Sequence, residues 1–346
     1  MFEFLSTGRN RRSRLMRRLI GSAAAVASLT AVVGAVEVAA QAAPAAAASS
    51  GCAAAAPAEG ESTLEFAAAG KAGTYIRDIP PATGAPLPVV LDLHGLMEPA
   101  FIERSSTALS ELGKSRGFVT ITPQLSDIRI PQWDFTENSA DVTYLSKLLT
   151  HVEETVCVDR QRIYATGLSM GGFTSSSLGC RLSDRIAAIA PVAGLQDFTW
   201  CHTVRPVPVI AFHGSDDPII AYTGGEGPNA QFLPTPSKTG SSGNSSEPGA
   251  NGPNNRSIPD NAAGWARRNG CKPEAAQRSV APDVSLQTYD CPADATVQLY
   301  TVLGAGHVWP GSPSDTSPVP LVGENTKSII ASELIWDFFQ AHPLRR

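Results

Sequence analysis

Six residues, Gly167-Leu168-Ser169-Met170-Gly171-Gly172, constrain this chain more than any others. A β-favouring run, Arg162-Ile163-Tyr164-Ala165-Thr166, leads into them, and a helical stretch through Leu178 to Leu182 follows. The reading is strand, tight turn, helix, with a serine at the tip. In G-x-S-x-G the glycines let strand and helix crowd around a strained turn, which holds the serine hydroxyl clear of the backbone. A serine held in that way is placed to act as a nucleophile.

Hydrophobic patterning supplies a sheet around this turn. Residues 62–66 and 74–79 alternate as short strands, consistent with a hairpin. Residues 87–93 form an apolar run, as expected of a strand buried on both faces. A helix is predicted near 104–116, a strand at 118–122, and a helix at 139–154 whose apolar face is Val142, Leu145, Leu148, Leu149 and Val152. Further strands are predicted at 186–192, 207–212 and 297–302, and a last helix at 328–340. Strands alternating with helices define the α/β class, with a mostly parallel central sheet flanked by helices. The catalytic unit is assigned to residues 61–346. Within it, 223–258 is rich in Gly, Ser, Pro and Asn and reads as a flexible surface insertion, either a tolerated loop or a flap over the site.

The N-terminus reads as an export signal over residues 1–42. Arginines precede an apolar run at 19–36, and Ala40-Gln41-Ala42 is a small-x-small cleavage pattern. An uncleaved anchor is the competing reading, because the run approaches membrane-spanning length. Arg17-Arg18 leaves open the twin-arginine route, and Cys52 is a weak candidate for lipid attachment. Residues 43–60, rich in Ala and Pro, are expected to be disordered. The leader carries six arginines against Glu3 and Glu37, a balance of +4, so a net charge of -5 leaves the remainder at about -9. An acidic mature chain without a basic cluster argues against a nucleic-acid partner. Six cysteines, at 52, 157, 180, 201, 271 and 291, fit an oxidising compartment. Sequence does not choose among their pairings; Cys180–Cys201, Cys271–Cys291 and Cys52–Cys157 is the expectation adopted. No pair has C-x-x-C spacing, which argues against zinc or redox roles.

A serine hydroxyl needs a base, a carboxylate to orient that base, and donors for the oxyanion. His307, in Gly304-Ala305-Gly306-His307-Val308-Trp309-Pro310-Gly311 after the strand at 297–302, is the expected base. His94 and His213 stand before glycines at strand ends and read as backbone-bonding residues. His151 falls on a helix face, His202 in a loop and His342 in the tail. The acid is sought in His213-Gly214-Ser215-Asp216-Asp217-Pro218. Either aspartate could serve; Asp217 occupies the position where H-G-x-x-D sets the acid, and Asp216 then reads as a turn residue. The expected oxyanion donors are the backbone N–H groups of Met170 and Leu96, the latter in the turn His94-Gly95-Leu96-Met97. Serine, acid and histidine follow in α/β-hydrolase order.

Together, His94-Gly95, Gly167-Leu168-Ser169-Met170-Gly171-Gly172, His213-Gly214-Ser215-Asp216-Asp217-Pro218 and Gly306-His307-Val308-Trp309-Pro310-Gly311 resemble the secreted polyhydroxybutyrate depolymerase and feruloyl esterase family of α/β-hydrolases. Cys157-Val158-Asp159, the run 187–194 and Trp265-Ala266-Arg267-Arg268-Asn269-Gly270-Cys271 extend the likeness, which runs from about Gly51 to Phe339. The resemblance implies ester hydrolysis outside the cell, on short-chain polyesters or on acyl and feruloyl groups of plant polysaccharide. It carries the nucleophile to Ser169, the acid to Asp217 and the base to His307, and implies no metal or organic cofactor. Leu96-Met97 stand where other members often have Cys or a polar residue, so a more apolar pocket is expected there. Trp309, Trp133, His94 and Gly95 are the expected substrate-binding residues. The competing readings are a general short-chain carboxylesterase, a serine peptidase or acyltransferase on the same scaffold, and a binding protein that keeps the fold without chemistry. Sequence leaves the oligomeric state open.

Overall fold

The computed structural model describes residues 47–126, 129–234 and 255–345. These lie in one unit of the chain, Ala42–Arg346. The strands in chain order are β1 (Gly60–Ala68), β2 (Lys71–Ile79), β3 (Leu87–Leu93), β4 (Val119–Leu125), β5 (Val158–Leu168), β6 (Ala188–Val192), β7 (Val209–Gly214), β8 (Ala275–Ala281), β9 (Val284–Tyr289) and β10 (Val297–Val302). The helices are α1 (Ala100–Thr107), α2 (Leu109–Arg116), α3 (Ala140–Thr155), α4 (Met170–Arg181), α5 (Ile258–Arg268), α6 (Val319–Val322) and α7 (Ala331–Ala341).

All the strands join one sheet, ordered β1-β2-β4-β3-β5-β6-β7-β10-β9-β8. The centre, from β4 through β10, is parallel, and antiparallel strands close both ends. Period-two alternation divides each central strand between two cores. Val89, Leu91 and Leu93 of β3 face one core with Leu145 and Leu148 of α3 and Trp265 of α5. Val90 faces the other, with Leu109 and Leu112 of α2 and Trp336 and Phe339 of α7. Because both faces are covered, the central strands are apolar runs rather than alternating ones.

The sequence expectations fail in three places. The helix predicted near 104–116 is two helices, broken at Ala108, whose φ of 50° is left-handed. The hairpin β8–β9 was missing from them and has no buried-face signal in sequence, because most of β8 is exposed, as befits an edge strand. Helix α5 was missing too, although Ser257 caps it by accepting the Asp260 N–H and Pro259 stands in its first turn.

The signal at 1–42 and the first residues of the 43–60 segment lie outside the described residues, as does most of the 223–258 insertion. From Ala47, however, the expected disorder gives way to an anchored strap. Buried Ser49 donates its hydroxyl to Val156 O and accepts the Val158 N–H. Cys52 is bonded to Cys157, and the other disulfides are Cys180–Cys201 and Cys271–Cys291, the pairing expected. Hydrogen bonds and a covalent tie hold a stretch whose composition alone would leave it loose.

The Cys52–Cys157 bond spans 105 residues of sequence. Closing so long a loop restricts the unfolded chain strongly, so the Cys52→Ala/Cys157→Ala variant is expected to lose about 2–5 kcal/mol of stability. Denaturant unfolding under non-reducing conditions measures it; an unchanged midpoint would show that the strap adds nothing.

Candidate active site

The residues singled out from sequence stand at the carboxyl ends of parallel strands of the central sheet. His94 follows β3, Ser169 follows β5, Asp217 follows β7 and His307 follows β10. Open α/β sheets bind ligands at this edge.

Ser169 sits between β5 and α4 with φ 57° and ψ -118°. A non-glycine residue there is strained, and such strain persists only where the surroundings enforce it. Here the enforcement is close packing. A Cβ on Gly167 would lie 2.2 Å from Leu93 O, and one on Gly171 only 1.8 Å from the same atom. Both glycines of G-x-S-x-G are thus needed for strand β5 and helix α4 to meet the end of β3. The Ser169 N–H donates to Val192 O at the end of β6 (2.9 Å), and its side chain remains half-buried at the edge.

His307 is buried in a loop fixed by its own backbone, its N–H donating to Val322 O and that of Gly306 to Glu324 O. Its Nδ1 lies 2.8 Å from Asp217 Oδ2. A carboxylate at Nδ1 fixes the proton there and leaves Nε2 with a free lone pair, the state a base requires. Asp217 is itself buried and accepts four hydrogen bonds. Oδ1 takes the N–H groups of Ile219 and Ile220; Oδ2 takes His307 and, at 3.2 Å, His213 Nε2. Burial alone would raise the Asp217 carboxyl, but the His307 charge and the hydrogen bonds from His213 and His307 outweigh it and hold the group below the usual carboxylate range. Asp216, by contrast, is exposed and accepts the Ser215 hydroxyl.

His213 adds a contact that the sequence reading missed. Its Nε2 also lies 2.9 Å from Ile220 O, as expected of a backbone-bonding residue, yet the same N–H is shared with the acid. The H-G-x-x-D spacing held the signal, since four residues on a tight turn bring ring and carboxylate together.

In the turn after β3, Met97 takes φ 65° and donates its N–H to Pro131 O. Among the described residues the Leu96 N–H has no protein acceptor. Met170 opens α4, where an N–H lacks an intrahelical partner. A Cβ on Gly95 would lie 3.5 Å from Ser169 Cβ, so the two turns are in direct contact.

Three residues expected to contact substrate are buried. His94 is fully buried, packs tilted against Trp133 with ring centroids 4.8 Å apart, and donates Nδ1–H to Gly95 O; burial lowers its pKa to about 4 and keeps it neutral. Trp133 is buried behind the same turn, its indole N–H donating to His94 O and its backbone N–H to Met170 Sδ. Trp309 is drawn into the core with Trp336 and donates to Ser332 Oγ. A ring with an N–H to satisfy is stabilised more by a buried partner than by an open cleft, so all three brace the site from behind. The exposed large side chains near the turn are Met97 and Phe101.

A ten-stranded, mostly parallel sheet with a strained serine and a histidine–aspartate pair on its carboxyl edge is the architecture of the α/β-hydrolase fold. The solved acetyl xylan esterase from Aspergillus awamori shares the fold, with a TM-score of 0.51 at 14% identity over 71% of this chain and 94% of that one. In sequence the chain is similar to feruloyl esterase B of Piromyces equi, 33% identical over 173 residues, which is 48% of this chain and 28% of that protein. It is also similar to a bifunctional acetylxylan esterase/xylanase of Neocallimastix patriciarum, 31% identical over 157 residues, or 45% of this chain and 23% of the relative. The chain thus matches less than a third of the length of these curated relatives. No family model matches it.

A hydrogen bond to a charged group is worth about 1.5–3 kcal/mol. His213→Phe should therefore lower kcat about 10- to 100-fold with little change in KM, if turnover depends on an ionised, fixed Asp217. The pH dependence of stability carries a second sign. Because the folded pKa of Asp217 is depressed, its contribution is complete above the unfolded value of about 3.9 and is lost as pH falls through the folded one. Acid unfolding of His213→Phe should begin at higher pH than wild type; coincident acid transitions would remove His213 from the network.

Proposed function

We propose that the chain is a secreted serine carboxylic-ester hydrolase that acts through an acyl-enzyme on feruloyl or acetyl esters of plant polysaccharide. The observation that carries this reading is the His307–Asp217 pair, 2.8 Å apart and buried, on the same sheet edge as the strained Ser169. Ser169 Oγ attacks the ester carbonyl as its proton passes to His307 Nε2, and Asp217 stabilises the imidazolium. The N–H groups of Leu96 and Met170 receive the oxyanion. His307 then protonates the leaving alcohol, and water, activated by the same base, releases the acid and restores the serine.

The substrate class is drawn from the relatives, which include feruloyl and acetylxylan esterases. Exposed Met97 and Phe101 beside the oxyanion turn offer an apolar rim suited to an aromatic acyl group. Secretion, with residues 1–42 as the removed leader, agrees with three disulfides. Among the described residues no helix is long and apolar enough to cross a membrane.

The test compares methyl ferulate, acetylated xylan, p-nitrophenyl acetate and an amorphous polyhydroxybutyrate suspension, with Ser169→Ala as the blank. Ferulate or xylan turnover is expected to exceed that on the polyester, and Ser169→Ala should lose at least about 10³-fold in kcat while staying folded. Clearing of the polyester with no release of ferulate or acetate would overturn the substrate class. A Ser169→Ala variant with wild-type turnover would overturn the mechanism.

A further inference from the structure

Three carboxyl side chains lie beneath the two turns of the site, and nothing in the mechanism above uses them. Asp92 belongs to β3 and is fully buried; Glu103 belongs to α1 and is fully buried; half-buried Glu98 lies between the two elements. The Glu103 carboxyl neighbours those of both Asp92 and Glu98. Each member also holds backbone or side chain around it. Glu103 Oε1 accepts the N–H of Leu168, the residue before Ser169, at 3.2 Å. Glu98 Oε2 accepts the N–H of Gly95, in the turn that carries Leu96, at 3.0 Å. Asp92 Oδ2 accepts the Thr107 hydroxyl at 2.7 Å.

No cation resolves this concentration of negative charge. Among the described residues no Lys or Arg forms an ion pair with any of the three, and the neighbouring Arg104 is held bidentate on Asp78 by two bonds of 2.7 Å. The other charged or titratable groups that face the chain are His307 and Asp315, both opposite Glu98. Asp92 Oδ1 and Glu103 Oε2 are buried without any N–H or hydroxyl donor. Ionised carboxylates only accept, so two such oxygens are satisfied only if a carboxylic proton lies within the group. Adjacent carboxyls in a desolvated site cannot all ionise.

We propose that Glu103 is a neutral carboxylic acid, hydrogen-bonded between Asp92 and Glu98, and that this chain of carboxyls fixes the Gly95–Leu96 turn against the Ser169 turn. Glu103 is a positioning residue: it touches neither substrate nor the reacting atoms, and acts through the backbone at Leu168 and, by way of Glu98, at Gly95. A neutral acid suits the place because it donates and accepts at once, whereas an anion would repel its neighbours and draw on the positive charge formed at His307. Burial is the main cause that raises all three carboxyls, Asp92 to about 7 and Glu103 well above the ordinary value, with the charges of Glu98 and Asp92 adding to the latter. The consequence for catalysis rests on Ser169, Leu96 and Met170 having the roles given above.

Two readouts test the assignment. Infrared spectra at neutral pH should show the carbonyl stretch of a protonated carboxyl in wild type, and Glu103→Gln should lose it; this needs no substrate. Turnover of p-nitrophenyl acetate should fall about 100-fold in kcat for Glu103→Ala, with KM within about twofold, as when an oxyanion donor is lost. Glu103→Gln, which keeps a neutral donor and acceptor, should recover at least about tenfold over Ala. An absent signal in wild type, or one that persists unchanged in Glu103→Gln, overturns the neutral acid even if Glu103→Ala fails to fold. A folded Glu103→Ala variant with wild-type kcat overturns the positioning role. A wild-type chain that hydrolyses no ester would sink the esterase reading, and the infrared comparison would still decide the carboxyl chain.

Discussion

The carbonyl oxygen of Leu93, at the end of β3, occupies the space that a side chain on Gly167 or Gly171 would need. That close approach sets the spacing of the catalytic edge. It brings the turn after β3 against the turn after β5, where Ser169 takes its positive-φ conformation and Met170 opens α4. Without it the elements would still form a parallel sheet, but the Ser169 turn and the Gly95–Leu96 turn would stand a side-chain width apart. Catalytic geometry tolerates far less displacement than that. The buried layer behind the turns, with Trp133 bonded to His94 and Met170, prevents the strain from relaxing into the core.

Charge is handled in opposite ways on the two sides of Ser169. Asp217 is buried and ionised because four donors converge on it. Asp92 and Glu103 are equally buried but have few donors and, among the described residues, no ion-paired cation, so their carboxyls are raised rather than lowered. Burial is the same in both places; the supply of N–H groups differs. The fold thereby keeps one carboxylate charged where positive charge develops on His307. In the proposed carboxyl chain it keeps Glu103 protonated, where a second negative charge would oppose an oxyanion. Glu98 spans the two regions, since it bonds the Gly95 N–H and faces His307.

What the sequence revealed follows the same physics. The apolar runs of β3, β7 and β10 were legible because strands covered on both faces admit little else. The approximate positions of Ser169, Asp217 and His307 were legible because a tight turn at a strand end needs small residues beside the functional one. The break at Ala108 was not, because alanine at positive φ carries no sequence signal. Hairpin β8–β9 was not, because an exposed edge strand has no buried face to impose alternation. The tryptophans misled for a different reason. Proximity in sequence to His307 or to the serine turn says nothing about which way a ring points, and the bond from Trp309 to Ser332 crosses 23 residues.

The carboxyl chain was the least legible element, and the cause is general. Asp92 interrupts an otherwise apolar strand, while Glu98 sits before, and Glu103 in, a short helix that also carries Arg104. Read along the chain, they are an irregular strand residue and an ordinary charged helix face. Only the packing of α1 turns Glu103 inward while Arg104 turns outward to Asp78. A neutral, hydrogen-bonded carboxyl is a property of an environment built from β3, α1 and the end of β5 together, so no local pattern encodes it. A bulkier hydrophobic residue at 103 would fill the same space, but it would leave the N–H of Leu168 unpaired under the nucleophile. A buried unpaired donor costs about 1–3 kcal/mol, and here that cost would fall on the turn whose strain presents Ser169.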